Sequence, residues 1–428
     1  MKAAAIVRSG AIYGIANVVA AGVPFLLLPV LTRALDPAEY GEVITFFMLV
    51  TLCNASAGLG AHSAVGVRWL DTTKGDPHSY TASALVLIFV STLVTAGLAA
   101  VIAPVFGLDV APELCALSAV VAGATVVQSM RFAIWQSRHE PVRAATLQVT
   151  AAVTNVTLSL AGVFILQLGA EGRIYGATVA GVLVALTCAY FMHRSGDATR
   201  PQGHDMRALL RFGVPLVPHV LAGAVLTSAD RFAVAGQMNT SALGIYGAAS
   251  QLGLIVNVLA DAANKAYVPF LYGMLGQGSA ASKLRVVAIT YLSIPLWIVT
   301  ALAVWGVAMA TGGLLLGSGY ADALRLSLWF MLGGAVNGIY LSISGLFFFS
   351  GKTEWISVAT MSGAAVALIV AVPLVNRFGV TGGGMTYLLS QLTMCCMAWG
   401  LSARKIPMPW RSPLLATRTL IRGEAGAT

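Results

Sequence analysis

Three side chains with useful chemistry stand together at residues 128–135. Gln128, Arg131 and Trp135 are spaced i, i+3 and i+7, which puts an amide, a guanidinium and an indole on one face of a helix. The surrounding run, 113–136, is otherwise apolar and long enough to cross a bilayer, so the charge sits where charge is costly and points to function. A second set lies at 257–265, where Asn257, Asp261 and Asn264/Lys265 share a face. Asp261 precedes Lys265 by four residues, the favourable order for a helical ion pair. Arg33 and the pair Asp230–Arg231 each close an apolar run. Asp261 and Asp230 are the acids that could take up and release a coupling cation. Arg131, Lys265, Arg33 and Arg231 are the cations that could hold an anion. Each has a plainer reading. Lys265 and Arg131 can snorkel to an interface, and Asp261 can simply neutralise Lys265. Arg33 and the 230–231 pair can anchor helix ends, Trp135 can belong to an aromatic belt, and asparagines can join helices. Two further sets share a face: Tyr13 with Asn17, and Asn54 with Gly58 and His62.

The elements that must position these groups are membrane helices. The 428 residues are 58% hydrophobic and only 10% charged, against about 25% charged in a soluble chain. Twelve apolar runs approach the ~20 residues a span needs: 10–31, 41–62, 81–106, 113–136, 144–168, 174–193, 209–229, 243–270, 285–311, 324–349, 355–375 and 381–402. They do not alternate as barrel strands do. Pro104 should fray the third run, and Pro295 and Pro373 should kink the ninth and eleventh. The basic start, MKAAAIVRSG, resembles a signal peptide, but the run behind it is too long for one.

With the N-terminus inside, the outer segments hold five basic residues: Arg33, Arg173, Arg231, Arg325 and Arg377. Arg131 and Lys265 fall within helices, and the other eighteen of the 25 lie inside. The net charge of +9 is therefore a topology signal that puts both termini in the cytoplasm, not a nucleic-acid signal. An inside loop, HRSGDATRPQGHDMRAL, separates six runs from six, so both halves enter the membrane in the same direction. The expected division is a six-helix bundle over 1–194, a linker over 195–208, a second bundle over 209–404 and a basic cytoplasmic tail without a fold of its own over 405–428. Cys53, Cys115, Cys188, Cys395 and Cys396 show no metal spacing. No catalytic motif is present and nothing calls for a cofactor, so the chain reads as a non-enzyme.

Two stretches echo one another. PFLLLPVLTRALDPAEYG (24–41) and RFGVPLVPHVLAGAVLTSADRFAVAGQMNTSALGIYG (211–247) both place two prolines in an apolar run, end it on arginine and open the next with Tyr-Gly. Through these stretches and the twelve-run plan, the chain resembles the Wzx-like polysaccharide or O-antigen flippases of the multidrug/oligosaccharidyl-lipid/polysaccharide exporter superfamily, as far as about Lys405. The resemblance implies an all-α, MATE-like membrane protein, with two parallel six-helix bundles around a central cavity. It implies alternating access in a bacterial inner membrane and a polyprenyl-pyrophosphate-linked oligosaccharide as substrate. Proton or Na+ coupling and a polysaccharide polymerase partner would follow from it. On this reading Arg131 meets the pyrophosphate, Gln128 and Asn257 meet sugar, Trp135 offers a stacking surface, Lys265, Arg33 and Arg231 add positive charge, and Asp261 or Asp230 carries the coupling ion. An ion-coupled exporter of drugs or other small molecules is the alternative on the same fold, and a non-transporting relative is a third.

Overall fold

A computed structural model describes residues 22–71, 73, 75–102 and 110–410. Among them the secondary structure is helical: α1 (Gly22–Ala34), α2 (Pro37–Cys53), α3 (Ala61–Leu70), α4 (Pro77–Ile102), α5 (Pro112–Ser137), α6 (Pro141–Leu160), α7 (Gly169–Arg194), α8 (Gly203–Gly213), α9 (Val217–Gln237), α10 (Thr240–Gly276), α11 (Ala280–Ala310), the short α12 (Gly312–Leu315), α13 (Ala321–Ser350), α14 (Glu354–Phe378) and α15 (Val380–Lys405). Eight are long and apolar enough to cross a membrane, namely α4 to α7, α10, α11, α13 and α14. The protein is an all-α membrane protein. α9 and α15 also span expected runs, but Gln391 and several serines, threonines and glycines dilute the apolar character of α15. Tyr13 and Asn17 lie outside the described residues, as does Pro104. α11 and α14 continue helically through Pro295 and Pro373.

Two compact units are present. Among the described residues, the first takes those from 22 to 228 together with Asn239–Gly244, and the second takes Ala229–Met238 and those from 245 to 410. The boundaries between the units fall within and between α9 and α10. Residues 195–202 and α8 are fastened to the first unit: Ala198 and Leu209 join its apolar core beside Met192, Tyr80 and Met130.

In the first unit, LDPAEYG starts α2 with a complete capping box. The Asp36 side chain accepts from the Ala38 and Glu39 backbone N–H groups, Glu39 reaches back to the Asp36 N–H, and Pro37 needs no partner at the first helical position. The second apolar run does not form one helix. It breaks at 54–60, where Gly58, Leu59 and Gly60 all take positive φ (81°, 48° and 67°). The break is held by Ser91 Oγ, which accepts from the Gly58 N–H at 2.8 Å, and by Thr95, which donates to Ser56 at 3.0 Å. Further along, α6 loosens into a π-turn at Ala161–Ile165. There a glycine contact brings the backbones of α6 and α7 together: a Cβ on Gly172 would lie 2.4 Å from the Gly162 carbonyl carbon.

In the second unit, α14 packs on α15, α15 on α13, and α13 on α11. The tail is partly docked: Trp410 is buried, its carbonyl accepts from the Tyr291 hydroxyl at 2.8 Å, and its ring lies 5.7 Å from that of Trp399. The expectation of an unfolded tail from 405 therefore fails for 406–410, because Ile406, Met408 and Trp410 supply apolar surface that joins a core with Leu271 and Leu346.

The α6–α7 contact has a measurable consequence. Gly172→Ala forces two backbones apart and should destabilise the protein by about 1–3 kcal/mol. Gly273→Ala, where an added Cβ meets nothing within 4 Å, should be neutral or slightly stabilising. Thermal unfolding of the detergent-solubilised variants checks both.

Candidate functional site

The first unit holds a partly open cavity of about 1040 Å³ between α1, α3, α5, α6 and α7. Its lining includes His62 and Ser63 from α3, Gln128 and Ser129 from α5, Gln148 and Asn155 from α6, and Arg173 from α7. Val23, Pro24 and Leu27 of α1 supply an apolar wall. Gln128 is tied by its Nε2 to the Gly181 carbonyl at 3.1 Å and so presents a fixed amide. His62 Nδ1 is buried without a hydrogen-bond partner.

Arg173 is 8% exposed. Its Nη1 donates to Asn155 Oδ1 at 3.1 Å and to Ser159 Oγ at 2.6 Å, and its guanidinium carbon lies 4.9 Å from the centre of the Phe47 ring. Its Nε is buried and unpartnered. Among the described residues no carboxylate forms an ion pair with it.

Arg131 is equally buried but answered differently. Its Nη1 is paired with the carboxylate of Asp197, which also accepts from Arg138 and, at 2.7 Å, from Ser195 Oγ. Asp197 sits in the loop after α7, where His78 Nδ1 meets the Gly196 carbonyl at 2.7 Å and Ser79 Oγ donates to buried Asp205 at 2.7 Å. Arg138 also lies over the ring of Trp69, 4.3 Å from its centre. Burial would raise the Asp197 carboxyl, but hydrogen bonds from Arg131, Ser195 and Arg138 outweigh it and hold it below the ordinary carboxylate value. Arg131 stacks on Trp135 at 4.2 Å, so the shared face is real. The set divides all the same. Gln128 lines the large cavity, whereas Arg131 and Trp135 line a smaller one of about 400 Å³ beside Thr146, Thr150 and Thr154.

The family of polysaccharide biosynthesis proteins (Polysacc_synt) matches residues 6–274. The chain belongs to that family. It is 26% identical over 292 residues to an uncharacterized membrane protein of Haemophilus influenzae, covering 65% of this chain and 68% of that one. It is 23% identical over 282 residues to Lsg locus putative protein 1 of the same organism, covering 63% and 67%. In fold it is similar to the lipid II flippase MurJ in its inward closed conformation, with TM-score 0.68, 14% identity and coverage of 96% and 90%. It is also similar to an inward-facing multidrug MATE transporter, with TM-score 0.60, 15% identity and coverage of 95% and 96%. The MATE-like fold expected from the sequence is present.

The remaining candidate residues of this polysaccharide biosynthesis protein scatter. In the second unit, buried Asp230 accepts from the Tyr246 hydroxyl at 2.5 Å, and one of its oxygens also accepts from the Arg231 N–H. Asn257 joins three helices: its Nδ2 donates to the Tyr387 hydroxyl at 3.2 Å, its Oδ1 accepts from Asn337 at 3.1 Å, and Gln391 also reaches Tyr387. Asp261 and Lys265 are exposed and form no ion pair with each other. The i, i+4 order permits such a pair without requiring it. Arg33 is exposed and turns back to the Pro29 carbonyl at 2.7 Å. Sequence reasoning missed Arg173, which it sorted with outer loop charges because the expected apolar run begins at 174, whereas α7 begins at Gly169. It also missed Asp197. A usable signal was present in GAEGRIYGAT, where glycines on both sides of Arg173 allow close helix approach.

Asp197 gives a second prediction. Its lowered carboxyl contributes stability that is present above the unfolded value near pH 4 and is lost as the pH falls through the folded value. Asp197→Asn leaves two arginines unanswered and should lower stability at pH 7 by about 3 kcal/mol. The gap to the wild type should close in acid. Unfolding temperatures at pH 7 and pH 3 test the sign.

Proposed function

We propose that this protein is a transporter that moves a polyprenyl-pyrophosphate-linked oligosaccharide from the cytoplasmic to the outer leaflet of a bacterial inner membrane, with both termini cytoplasmic. The family supports a place in polysaccharide biosynthesis, and the fold supports transport, not bond chemistry. The observation that carries the reading is the cavity of the first unit. A glycan cannot cross about 30 Å of hydrocarbon without hydrogen-bond partners, whereas the prenyl chain is at home there. A cavity of about 1040 Å³ lined by fixed amides and hydroxyls, set inside a lipid-facing bundle, supplies those partners. The membrane potential, negative inside, favours outward movement of an anion by about 2.3 kcal/mol per charge per 100 mV.

Within this reading Gln128 and Asn155 face the substrate. Arg131 and Trp135 belong to the fastening of the 195–202 loop, because the charge of Arg131 is already met by Asp197. Asn257 joins helices. Lys265, Arg33 and Arg231 remain candidate positive charges for the glycan carrier, and Asp261 remains a candidate for a coupling proton or Na+. Asp230 favours the second reading, an ion-coupled exporter of small molecules, since a buried acid held by a tyrosine can take up a cation.

Expression in a strain that lacks its own lipid-linked glycan flippase should restore export of surface polysaccharide, and proteoliposomes should move labelled lipid-linked sugar. Gln128→Leu should reduce export several-fold at equal protein in the membrane. Transport of a cationic dye without transport of the lipid-linked sugar would replace the first reading with the second.

A further inference from the structure

A guanidinium buried against lipid-facing helices must be neutralised or must await an anion. Arg131 meets the first condition through Asp197. Arg173 does not. Both of its hydrogen bonds go to neutral groups, Asn155 and Ser159, and both leave from Nη1. Its Nε has no partner, and it lines the large cavity. The position is built, not incidental. Gly172 and Gly176 flank Arg173, and a Cβ on Gly176 would lie 2.5 Å from the Ser159 Cα. α6 and α7 are thus close enough for Ser159 and Asn155 to fix one edge of the fork. Phe47 covers one face of the guanidinium. The free edge carries the charge and a donor with nothing to meet.

The geometry points to Arg173 as an anion-binding subsite of the cavity, which takes a phosphate or carboxylate oxygen on the edge left open by Asn155 and Ser159. A guanidinium suits either oxygen because its donors lie in a planar fork and its charge is permanent. The subsite also lies away from the Asp197 fastening: 173 and 194 are separated by about 30 Å along α7 at 1.5 Å per residue. The inference uses the transport reading only for the source of the anion, either the pyrophosphate of a lipid carrier or the carboxylate of an acidic sugar.

Asn155→Asp is the decisive variant. It keeps the side-chain shape and the acceptor facing Nη1, and it gives Arg173 a counter-charge within the protein. Purified wild-type protein is titrated at fixed ionic strength with pyrophosphate, glucuronate and glucose, with saturable shifts in unfolding temperature as the readout. The wild type should respond to at least one anion and not to glucose. Pyrophosphate alone identifies a phosphate site, and glucuronate alone identifies a carboxylate site. Asn155→Asp should unfold at or above the wild-type temperature and bind at least ten-fold more weakly. Arg173→Gln should lose binding as well, but it also loses the bonds to Asn155 and Ser159, so the folded Asn155→Asp protein decides. Binding by that protein within two-fold of wild type, or a wild type indifferent to both anions, overturns the subsite. Glycan export separates this from the broader reading. A wild type that binds an anion and exports no glycan overturns transport and leaves the subsite standing, whereas equal export by wild type and Asn155→Asp removes the subsite from transport.

Discussion

Charge taken out of water inside a membrane bundle has to be answered, either from within the fold or by a ligand, and the first unit is arranged around that requirement. One carboxylate, Asp197, answers Arg131 and Arg138 together. In doing so it draws the loop after α7 onto the ends of α4 and α5, where the ring of Trp69, the buried Asp205 and the apolar side chains of Ala198 and Leu209 complete the attachment. Removing a partner from a buried pair costs far more than the pair is worth against apolar packing. This fastening is therefore a specification of structure more than a store of stability. Its cost is borne where the chain leaves one helix and must be directed to the next.

The second arginine in the unit shows the opposite solution. Arg173 is held by an amide and a hydroxyl, which orient it without cancelling its charge. A hydrogen bond to a neutral acceptor satisfies one N–H but leaves the field of the cation in the cavity. Two arginines of similar burial thus differ in what they can do for a ligand, and the difference lies in their partners. In the second unit Asp230 is oriented by a neutral hydroxyl from Tyr246, while Asn257 spends its hydrogen-bonding capacity on Tyr387 and Asn337.

Helix content and the membrane class could be read from the apolar runs, because hydropathy is a local property. The shared face of Arg131 and Trp135 was legible for the same reason: spacing within one helix fixes direction. What lies opposite that face was not. Asp197 is 66 residues from Arg131, and nothing in either segment names the other. Arg173 was misplaced because a charge near a helix end looks like an interfacial anchor, and only the approach of α6 shows that it turns inward. The break at 54–60 escaped notice since Ala, Gly and Leu keep the hydropathy high while Gly58 and Gly60 release the backbone. Polar composition marks 195–208 as a linker, yet Asp197, Ala198, Asp205 and Leu209 are the residues that attach it.

The π-turn in α6 sets a limit on the length of this gene product. Each residue of an α-helix advances the face by about 100°, so the extra residue in the turn changes which side chains point inward beyond it. Before the turn, α6 offers Asn155 and Ser159 to α7. After it, Gly162 meets Gly172 while Phe164, Ile165 and Leu166 are exposed on the outer surface. A single-codon deletion within 161–165 would preserve composition, hydropathy and helix content, yet it would rotate the apolar tip toward α7 and carry the glycine out of contact. In this segment the count of residues is as much a part of the inherited information as their identity.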